Sequence, residues 1–219
     1  MKVIIFGCGN ISELAYYYLR DDSDHEVVAF TINESFLNNE NNIFLNLPVI
    51  SFENLENIYP PSEYKLFAPI SARNINGLRE KIYKEGKEKG YSFISYISSK
   101  ALIYTDEIGE NCFILENNVI QYRVKIGNNC ILWSGNHIGH HSTIEDNVFI
   151  TSHVVISGMC IIGANSYIGV NVCFKDNLKI ASKTIIGMGS CVTKNTESYN
   201  IYIGSPCKKF KEFDDSIIL

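Results

Sequence analysis

The sequence lacks a cluster of basic residues, a long apolar segment and a Cys-x-x-Cys pair. Its formal net charge is −5, so it offers no electrostatic footprint for nucleic acid or for an anionic membrane surface. No apolar run approaches the roughly 18 residues that span a bilayer, and the run at residues 3–6 reaches Gly7 too soon for a secretory leader. We therefore expect a cytoplasmic protein without nucleic-acid partners or membrane insertion.

The cysteine content also excludes two common small-domain scaffolds. Seven cysteines are an odd number, and their spacing indicates neither a disulfide framework nor a zinc ribbon. We predict buried, reduced thiols and no bound metal. The chain has 219 residues with 46% hydrophobic content, which is enough to bury a core as one large domain or two modest ones.

The N-terminal residues follow the pattern strand, glycine turn, helix, strand. An apolar run at residues 3–6 leads into Gly7-Cys8-Gly9, a helical pattern follows, and a second apolar run covers residues 27–30. Ser12 stands where a dinucleotide fingerprint has its third glycine, so the motif is weak. It predicts either a nucleotide-sugar pocket, with phosphates at the start of the helix, or a tight turn without a ligand.

The rest of this half is short. Residues 65–70 are predicted to form a strand, residues 74–88 a charged helix, and residues 91–96 close the unit. This segment is too short to form a complete dinucleotide-binding domain with two βαβαβ halves, and hydride transfer therefore has little support.

The second half carries an internal six-residue repeat, the hexad. An aliphatic or aromatic residue recurs in register, and a small or apolar residue lies two positions before most of its members. The series is Ile108, Ile114, Ile120, Ile126, Leu132, Ile138, Ile144, Ile150, Ile156, Ile162, Ile168, Phe174, Ile180, Ile186 and Val192. A hexad suits a short strand plus a turn, so three hexads close one triangular coil. The residues of the series are predicted to be core.

On these repeats, the glycine turn and the ending Ile203-Gly204-Ser205-Pro206-Cys207-Lys208, the chain resembles the hexapeptide-repeat acyltransferases. Within them it resembles the bacterial sialic acid O-acetyltransferases and the PglD-type nucleotide-amino-sugar N-acetyltransferases. The resemblance implies an α/β Rossmann-like nucleotide-sugar-binding domain over residues 1–100 and an all-β left-handed parallel β-helix over residues 101–219. It also implies acetyl-CoA as co-substrate, a nucleotide-linked 4-amino-4,6-dideoxy sugar as acceptor, and a homotrimer with active sites between subunits.

Four of the five histidines lie between residues 137 and 153. Acetyl transfer from a thioester needs a base, and histidine titrates in the range that suits one. The resemblance identifies His140 as this catalytic base, the alternative being a surface or packing histidine. Gly158 follows three hexads later, so its amide is predicted to lie beside His140 on the next coil and to hydrogen-bond the thioester oxygen.

The chain departs from the family pattern around this base. His141 stands where PglD-like members carry an acidic residue, and a second imidazole cannot raise basicity as a carboxylate does; the orienting group stays open. Phe149 occupies a position where the family often has a histidine against acetyl-CoA, so His153 or a backbone group is expected to take over. The coenzyme site implied by the resemblance comprises Phe149, His153, Gly158 and Val170.

The acceptor nucleotide is expected at the N-terminal unit. Its diphosphate is placed at Gly9, Asn10 and Ile11, with Asn33 or Glu34 near the base or ribose. Arg73 is a candidate phosphate contact. The alternatives are an ordinary turn residue for Asn33 and a charge at the start of a helix for Arg73.

Three rival functions remain open on the sequence. Sugar O-acetylation of the sialic-acid type differs only in the nucleophile, and the amine is slightly favoured because it is the better nucleophile. A γ-carbonic-anhydrase-like zinc enzyme would use His137, His140, His141 and His153 as ligands. A non-catalytic solenoid would leave the histidines and the Gly7-Cys8-Gly9 turn without a role.

Overall fold

The computed structural model of the protein describes residues 1–38, 42–215 and 217. The N-terminal part forms a five-stranded sheet of order β3-β4-β2-β1-β5, in which β1 pairs in parallel with β2 and β5, β2 pairs in parallel with β4, and β3 is antiparallel to β4. The strands are β1 Lys2–Phe6, β2 Glu26–Ile32, β3 Ile43–Phe44, β4 Leu47–Ser51 and β5 Lys65–Phe67. The helices are α1 Asn10–Asp21, α2 Leu55–Ile58, α3 Gly77–Glu88 and a 3₁₀ turn Glu34–Phe36.

The predicted strand–turn–helix–strand pattern is confirmed, with two shorter elements. The strand expected at residues 65–70 ends at Phe67, and the helix expected at residues 74–88 begins only at Gly77. The late start has a backbone cause, because Asn74, Ile75 and Asn76 all have positive φ angles, of 51°, 44° and 68°. Right-handed helix requires negative φ.

The two glycines of the N-terminal turn, Gly7 and Gly9, differ in backbone conformation and in the space around them. Gly7 has a φ of +108°, and a Cβ there would lie 2.5 Å from Ser12 Oγ. Ser12 itself is buried and donates to the Phe6 carbonyl at 3.2 Å. Gly9 has an ordinary extended conformation with a φ of −106° and open space around its Cα. The fold therefore requires glycine at position 7 but not at position 9.

Residues 96–203 form a parallel β-helix, as the six-residue repeat predicts, and residues 208–212 add one antiparallel strand at its end. Each short strand of the repeat pairs with the strand three hexads later, for example His137 with Val155. The strands are β6 Tyr96–Ile97, β7 Leu102–Ile103, β8 Phe113–Ile114, β9 Val119–Ile120, β10 Lys125–Ile126, β11 Ile131–Leu132, β12 His137–Ile138, β13 Thr143–Ile144, β14 Phe149–Ile150, β15 Val155–Ile156, β16 Ile161–Ile162, β17 Tyr167–Ile168, β18 Cys173–Phe174, β19 Lys179–Ile180, β20 Ile185–Ile186, β21 Cys191–Val192, β22 Asn200–Ile203 and β23 Lys208–Glu212.

The strands form three sheets, which are the faces of a triangular prism. Face 1 contains β6, β8, β11, β14, β17, β20, β22 and β23; face 2 contains β7, β9, β12, β15, β18 and β21; face 3 contains β10, β13, β16 and β19. The chain turns from face 1 to face 2 at corner 1–2 (residues 151–154 in one coil), from face 2 to face 3 at corner 2–3 (residues 139–142), and back to face 1 at corner 3–1 (residues 145–148). Corner 2–3 is therefore the corner opposite face 1.

The prism interior is filled by the predicted series. From Ile114 to Val192 its members are at most 3% exposed, and the residues two positions earlier are buried as well. Three of the cysteines, Cys112, Cys130 and Cys160, are buried among them, and all seven are free. The prediction of buried thiols is wrong for Cys173, which is exposed because it points outward from face 2.

The corners share one backbone conformation. A residue with positive φ recurs every six positions, three before each buried aliphatic, and asparagine is frequent there because it tolerates the left-handed region. The non-glycine members are Asn111, Asn117, Arg123, Asn129, His141, Asn147, His153, Met159, Asn165, Asn171, Asn177 and Lys183. His141 and His153 are thus turn residues.

The N-terminal unit packs against face 1. Phe67 and Phe30 share a buried cluster with the outward residues Phe113, Ile131 and Phe149 of that face. The strand ladder begins at Tyr96, which pairs with Phe113, before the predicted domain start at 101; the boundary at 100/101 stays a prediction. Within the described chain, no helix has both the length and the apolar content to cross a bilayer.

Arg79 of α3 joins the two parts from a fully buried position. Its guanidinium donates to the carbonyls of Ile70 at 3.0 Å, Asn129 at 3.0 Å and Asn147 at 2.9 Å. Burial lowers its pKa to about 10. A buried cation needs such a set of acceptors, because leaving water without compensation is costly. Sequence reasoning did not single out Arg79, since a lone arginine in a charged helix has the pattern of a solvated side chain.

Candidate active site

One corner of the β-helix carries a column of chemically distinctive side chains. Tyr104, Tyr122, His140, Gly158 and Asp176 all belong to corner 2–3 and follow one another at intervals of three hexads. Because three hexads make one coil, positions with this spacing lie above one another. The prediction that Gly158 lies beside His140 follows from the same rule and is confirmed.

His140 is exposed, and its imidazole contacts His141 and Gly158. The backbone N–H of His140 donates to Gln121 Oε1 at 2.9 Å, and the ring Nδ1 lies 3.1 Å from His141 Nδ1. The two rings are perpendicular, with centroids 5.2 Å apart. The ring lies against Gly158, where a Cβ would come within 2.7 Å of His140 Cε1 and 2.8 Å of Nε2. Glycine at position 158 therefore makes the space that the imidazole occupies.

The contact between the two Nδ1 atoms restricts the tautomers. Only one hydrogen fits between two nitrogens, so one imidazole donates and the other accepts. When His140 is the donor, its neutral ring has an unprotonated Nε2, which is the state that a base needs. When His141 is the donor instead, the hydrogen of the neutral His140 ring lies on Nε2.

The backbone amide of Gly158 is hydrogen-bonded to a residue of the following coil. It donates to Asp176 Oδ1 at 3.0 Å. The predicted hydrogen bond from this amide to a thioester oxygen therefore does not fit the arrangement as it stands, because the hydrogen bond to Asp176 would first have to break. The carboxylate was missed from the sequence, although its spacing of one full coil from Gly158 is the pattern that could have found it.

Two of the predicted coenzyme residues lie at another corner. His153 is exposed at corner 1–2, with its ring against Gly135, where a Cβ would lie 2.7 Å from Nδ1. Val170 belongs to the same corner one coil later and is 39% exposed. Face 2 separates both of them from His140. The clustering of histidines in sequence thus does not bring His153 and His140 together within one chain.

The prediction that Phe149 contacts the coenzyme does not fit the structure. The side chain is only 6% exposed and lies between face 1 and the N-terminal unit. Its ring stacks on Tyr167 with centroids 5.6 Å apart, and the Arg79 guanidinium lies 5.7 Å from its centre. The hexad pattern places Phe149 outside the prism, and only the non-local N-terminal unit makes that position core.

Corner 1–2 also borders a cavity of about 550 Å³ between α1 and the first coils. Glu116 projects there and accepts hydrogen bonds from Tyr18 Oη at 2.7 Å and Ser134 Oγ at 2.6 Å. Burial opposes ionisation of Glu116, but these two hydrogen bonds outweigh it and lower the pKa. Burial and the contact with Glu116 raise the pKa of Tyr18 to about 12.

The predicted acceptor residues lie at the carboxyl edge of the N-terminal sheet. Gly9, Asn10 and Ile11 follow β1, which lies between β2 and β5 in the sheet. The chain leads from β1 to β2 on one side and later from β4 to β5 on the other side of β1, and such a switch point is where open α/β sheets bind ligands. An adjoining cavity of about 260 Å³ is lined by Cys8, Phe36 and Phe44, among others.

Asn33 and Glu34 follow β2 at the same edge, but their polar groups are partly committed. Asn33 Nδ2 donates to Glu53 Oε1 at 3.2 Å, and the Glu34 amide donates to Glu53 Oε2 at 2.8 Å. Sequence reasoning missed Glu53, which no spacing links to position 33. Arg73 is exposed in the turn before α3.

Among residues 1–38, 42–215 and 217, no group of three or more His, Cys, Asp or Glu side chains is arranged to hold a metal ion. His137, His140, His141 and His153 are divided between face 2 and two corners. A zinc site made of these four histidines within one chain therefore does not fit the structure.

The family profile described as bacterial transferase hexapeptide (six repeats) matches residues 107–139 and 123–158. No curated protein sequence matches the chain. Solved structures match nearly its whole length. The acetyltransferase domain of PglB from Neisseria gonorrhoeae FA1090 has 18% identity and a TM-score of 0.79, covering 95% of this chain and 99% of its own.

Two further structures are similar to the same extent. A histidine variant of perosamine N-acetyltransferase from Caulobacter crescentus, in complex with CoA and GDP-perosamine, has 20% identity and a TM-score of 0.83, covering 97% of this chain and 98% of its own. WeeI from Acinetobacter baumannii AYE has 19% identity and a TM-score of 0.80, covering 96% and 100%. The predicted fold class, an α/β unit followed by a parallel β-helix, is confirmed: the chain carries hexapeptide repeats over residues 107–158 and has the fold of the PglB and perosamine N-acetyltransferase structures.

Proposed function

We propose that the protein is an acetyl-CoA-dependent N-acetyltransferase that acts on a nucleotide-linked amino sugar of the 4-amino-4,6-dideoxy type. The observation that carries this proposal is the exposed imidazole of His140, held by His141 and resting on Gly158. The shared fold supports it, since a solved PglB domain binds acetyl-CoA and the Caulobacter enzyme binds CoA and GDP-perosamine.

In the proposed reaction His140 acts as the general base. Nε2 accepts a proton from the sugar amine while the amine nitrogen attacks the carbonyl carbon of the thioester. The carbon–sulfur bond of the resulting tetrahedral species then breaks, and the departing thiolate takes the proton from Nε2. The products are the acetamido sugar and free CoA, and the enzyme returns to its starting protonation state.

His141 is proposed as the positioning residue for this base. Its Nδ1 accepts from His140 Nδ1, which keeps Nε2 of His140 unprotonated, the task that a carboxylate performs in the relatives that the sequence resembles. We expect His141→Glu to retain activity, because a carboxylate accepts the same hydrogen bond. We expect His141→Leu to lower kcat because nothing then selects the tautomer. Equal kcat values for the two variants would remove His141 from the mechanism.

A single chain does not bring all the proposed residues together. The N-terminal unit covers face 1, which is opposite the corner of His140, and His153 and Val170 lie at corner 1–2. Exposed apolar residues around faces 2 and 3 support contact with further chains: Val155, Met159, Ile161 and Met188 are each 38–80% exposed. We therefore propose a homotrimer in which one chain holds the acceptor and another supplies His140.

Hybrid assemblies test this division between chains. At low acceptor concentration, trimers made only of Gly9→Phe chains or only of His140→Ala chains should have little activity. Co-expression of the two should restore a fraction of it, because an intact acceptor unit then meets an intact His140 of a neighbour. No recovery in hybrids, confirmed as mixed trimers by native mass spectrometry, would place both functions in one chain.

The acceptor end is proposed to lie at Gly9, Asn10 and Ile11, where the amides that begin α1 face an anionic diphosphate. Asn33 and Arg73 are proposed to contact the nucleoside and a phosphate. Gly9→Phe should raise the acceptor KM and leave the affinity for acetyl-CoA unchanged. Gly9→Ala is the matched control, since a Cβ at Gly9 meets no atom within 4 Å. A joint loss of acceptor and acetyl-CoA binding would count against this assignment.

The reaction itself is tested with purified protein, acetyl-CoA and a panel of UDP-, dTDP- and GDP-linked 4-amino-4,6-dideoxy sugars, following release of free thiol. We expect release with one acceptor and a loss of roughly 10²–10⁴-fold in His140→Ala. Release only with hydroxyl acceptors such as sialic acids would show an O-acetyltransferase. Full activity of His140→Ala would show that another group is the base. CO₂ hydration by zinc-loaded protein, without thiol release, would show the carbonic-anhydrase-like alternative.

A further inference from the structure

Two tyrosines next to the proposed base are unusually exposed. Tyr104 is 46% and Tyr122 67% accessible, and they occupy corner 2–3 on the two coils preceding that of His140. Their rings lie against each other with centroids 5.2 Å apart and planes inclined by 35°. The prism core does not use either side chain, and large aromatic surfaces left in water are characteristic of binding sites.

The tyrosines form the wall of a small cavity that ends at His140. Its volume is about 290 Å³, and it is lined by Tyr104, Val119, Gln121, Tyr122 and His140. Gln121 Oε1 already accepts from the His140 amide, so the side-chain amide is oriented and its Nε2 is the remaining donor. Pockets for drug-sized ligands have volumes of about 300–1,000 Å³; this cavity is at the lower end of that range, so it fits one ring and not a complete nucleotide sugar.

The imidazole of His140 is covered on one side and borders the cavity on another. One side of the imidazole is closed, since it lies against the backbone of Gly158 on the following coil. The cavity borders the imidazole from the preceding coils. A group that transfers its proton to His140 has to come close to the ring, and a ligand in the cavity lies next to it, since His140 is one of the lining residues.

We infer that Tyr104 and Tyr122 form a stacking platform for the sugar ring of the acceptor, with Gln121 Nε2 donating to a ring substituent. This inference rests on the proposed function and assigns the acceptor subsite next to its base. The C–H face of a pyranose packs on aromatic rings, and a methyl group at C6 enlarges that apolar contact. A hydroxymethyl group in its place would lose water without gaining a partner from the rings. The platform therefore selects 6-deoxy sugars.

The test separates acceptor effects from coenzyme effects in the assembled protein. With the amino-sugar panel, Tyr122→Ala should raise the acceptor KM about tenfold or more and leave the KM for acetyl-CoA within twofold. Tyr122→Phe should retain the wild-type values, because the face of the ring makes the contact. The preference for a 6-deoxy over a 6-hydroxy acceptor should fall about tenfold in Tyr122→Ala. Phe210→Ala, which removes a 61% exposed aromatic side chain from β23, is the control and should change none of these.

Three outcomes in active protein would overturn the inference. A rise in the KM for acetyl-CoA alone would assign the tyrosines to the coenzyme. Dissociation of the oligomer in Tyr122→Ala, seen by light scattering, would show that a second chain covers them. Unchanged values for both substrates would leave them without a role in binding.

Calorimetric titration with a dTDP-linked 4-amino-4,6-dideoxyhexose keeps the inference testable if the wild type transfers no acetyl group. The proposed function would then have failed by itself. Binding to the wild type that is weakened about tenfold in Tyr122→Ala would still support a sugar platform. No binding to the wild type, or equal binding to both proteins, would overturn it.

Discussion

Corners 3–1 and 2–3 of the same β-helix have one backbone conformation and opposite surroundings. At corner 3–1, Asn111, Asn129, Asn147 and Asn165 lie above one another, buried, with Nδ2 donating to the next Oδ1 at 2.6, 2.7 and 3.3 Å. At corner 2–3, the column of Tyr104, Tyr122 and His140 is exposed. The six-residue repeat produces the turn at both corners, so the neighbouring structure is what buries one of them and leaves the other exposed.

The neighbouring structure at corner 3–1 is the N-terminal unit. Arg79 of α3 donates to the carbonyls of Asn129 and Asn147, and Asn165 Nδ2 donates to Glu80 Oε2 at 2.8 Å at one end of the ladder. At the other end, Asn111 Oδ1 accepts from the Ala68 amide at 2.8 Å. The side chains of the ladder are thereby paired, as burial requires. Corner 2–3 lies opposite face 1, and the part of the chain that the structure describes places no such cover over it.

The comparison predicts its largest effect at Arg79. We expect Arg79→Met to lower the free energy of unfolding by about 3–5 kcal/mol, because the buried carbonyls of Asn129 and Asn147 and the half-buried carbonyl of Ile70 lose their donor. Arg73→Met is the matched control and should shift it by no more than about 0.5 kcal/mol, since Arg73 is exposed. Urea unfolding at one fixed protein concentration measures both. Equal shifts would mean that the cover of corner 3–1 adds nothing to stability.

The asparagine ladder should show a smaller effect that separates side chain from backbone. Asn129→Ala and Asn177→Ala both place alanine at a positive φ, of 61° and 60°, but Asn177 is exposed at corner 2–3. Both variants carry the same backbone strain of about 1 kcal/mol. We expect Asn129→Ala to be less stable by a further 1–3 kcal/mol or so, because the ladder is interrupted. Similar thermal and urea stabilities for the two would show that the asparagines serve only the turn.

The smallest free-energy change is expected at Gly158, and it should affect activity more than stability. Gly158→Ala places a Cβ 2.7 Å from His140 Cε1, so the imidazole has to move. We expect a loss of about tenfold in kcat, or roughly 1.4 kcal/mol, with little change in the unfolding midpoint because the displaced ring is exposed. Gly77→Ala is the control, since its Cβ would lie 3.8 Å from the nearest atom. A large loss of stability in Gly158→Ala without a change in kcat would show that corner 2–3 has a structural role, as corner 3–1 does.

Much of the fold was predictable because the repeat is a local property. The aliphatics from Ile114 to Val192 are core as predicted, and the coil length of three hexads placed Gly158 beside His140. The assignment of His140 as the base comes from the resemblance to hexapeptide-repeat acyltransferases and stays a proposal. The same spacing also contains the Tyr104–Tyr122 pair and Asp176, which were not predicted to lie beside His140.

The wrong predictions have a common cause. The six-residue period shows which side chains point into the prism and which point outward, but it does not show which of the three faces is covered by other parts of the chain. Phe149 and Cys173 both point outward, yet the N-terminal unit buries the first and leaves the second exposed. His153 and His140 are neighbours in sequence, but a turn in every hexad assigns them to different corners. The roles of Arg79 and Glu53 depend on contacts with residues far away in the sequence.

The hexad repeat alone was enough to predict the prism, its three-hexad coil and its interior, since each hexad has the same short-range pattern of a strand and a left-handed turn. The glycine pattern was likewise enough to predict the strand, turn and helix that open the chain. Three features could be seen only in the folded chain: which face the N-terminal unit covers, that the asparagine corner is buried under Arg79, and that His140 and the two tyrosines are exposed. Those outcomes depend on packing between segments far apart in the chain, where burial and the pairing of polar groups are decided jointly by both partners.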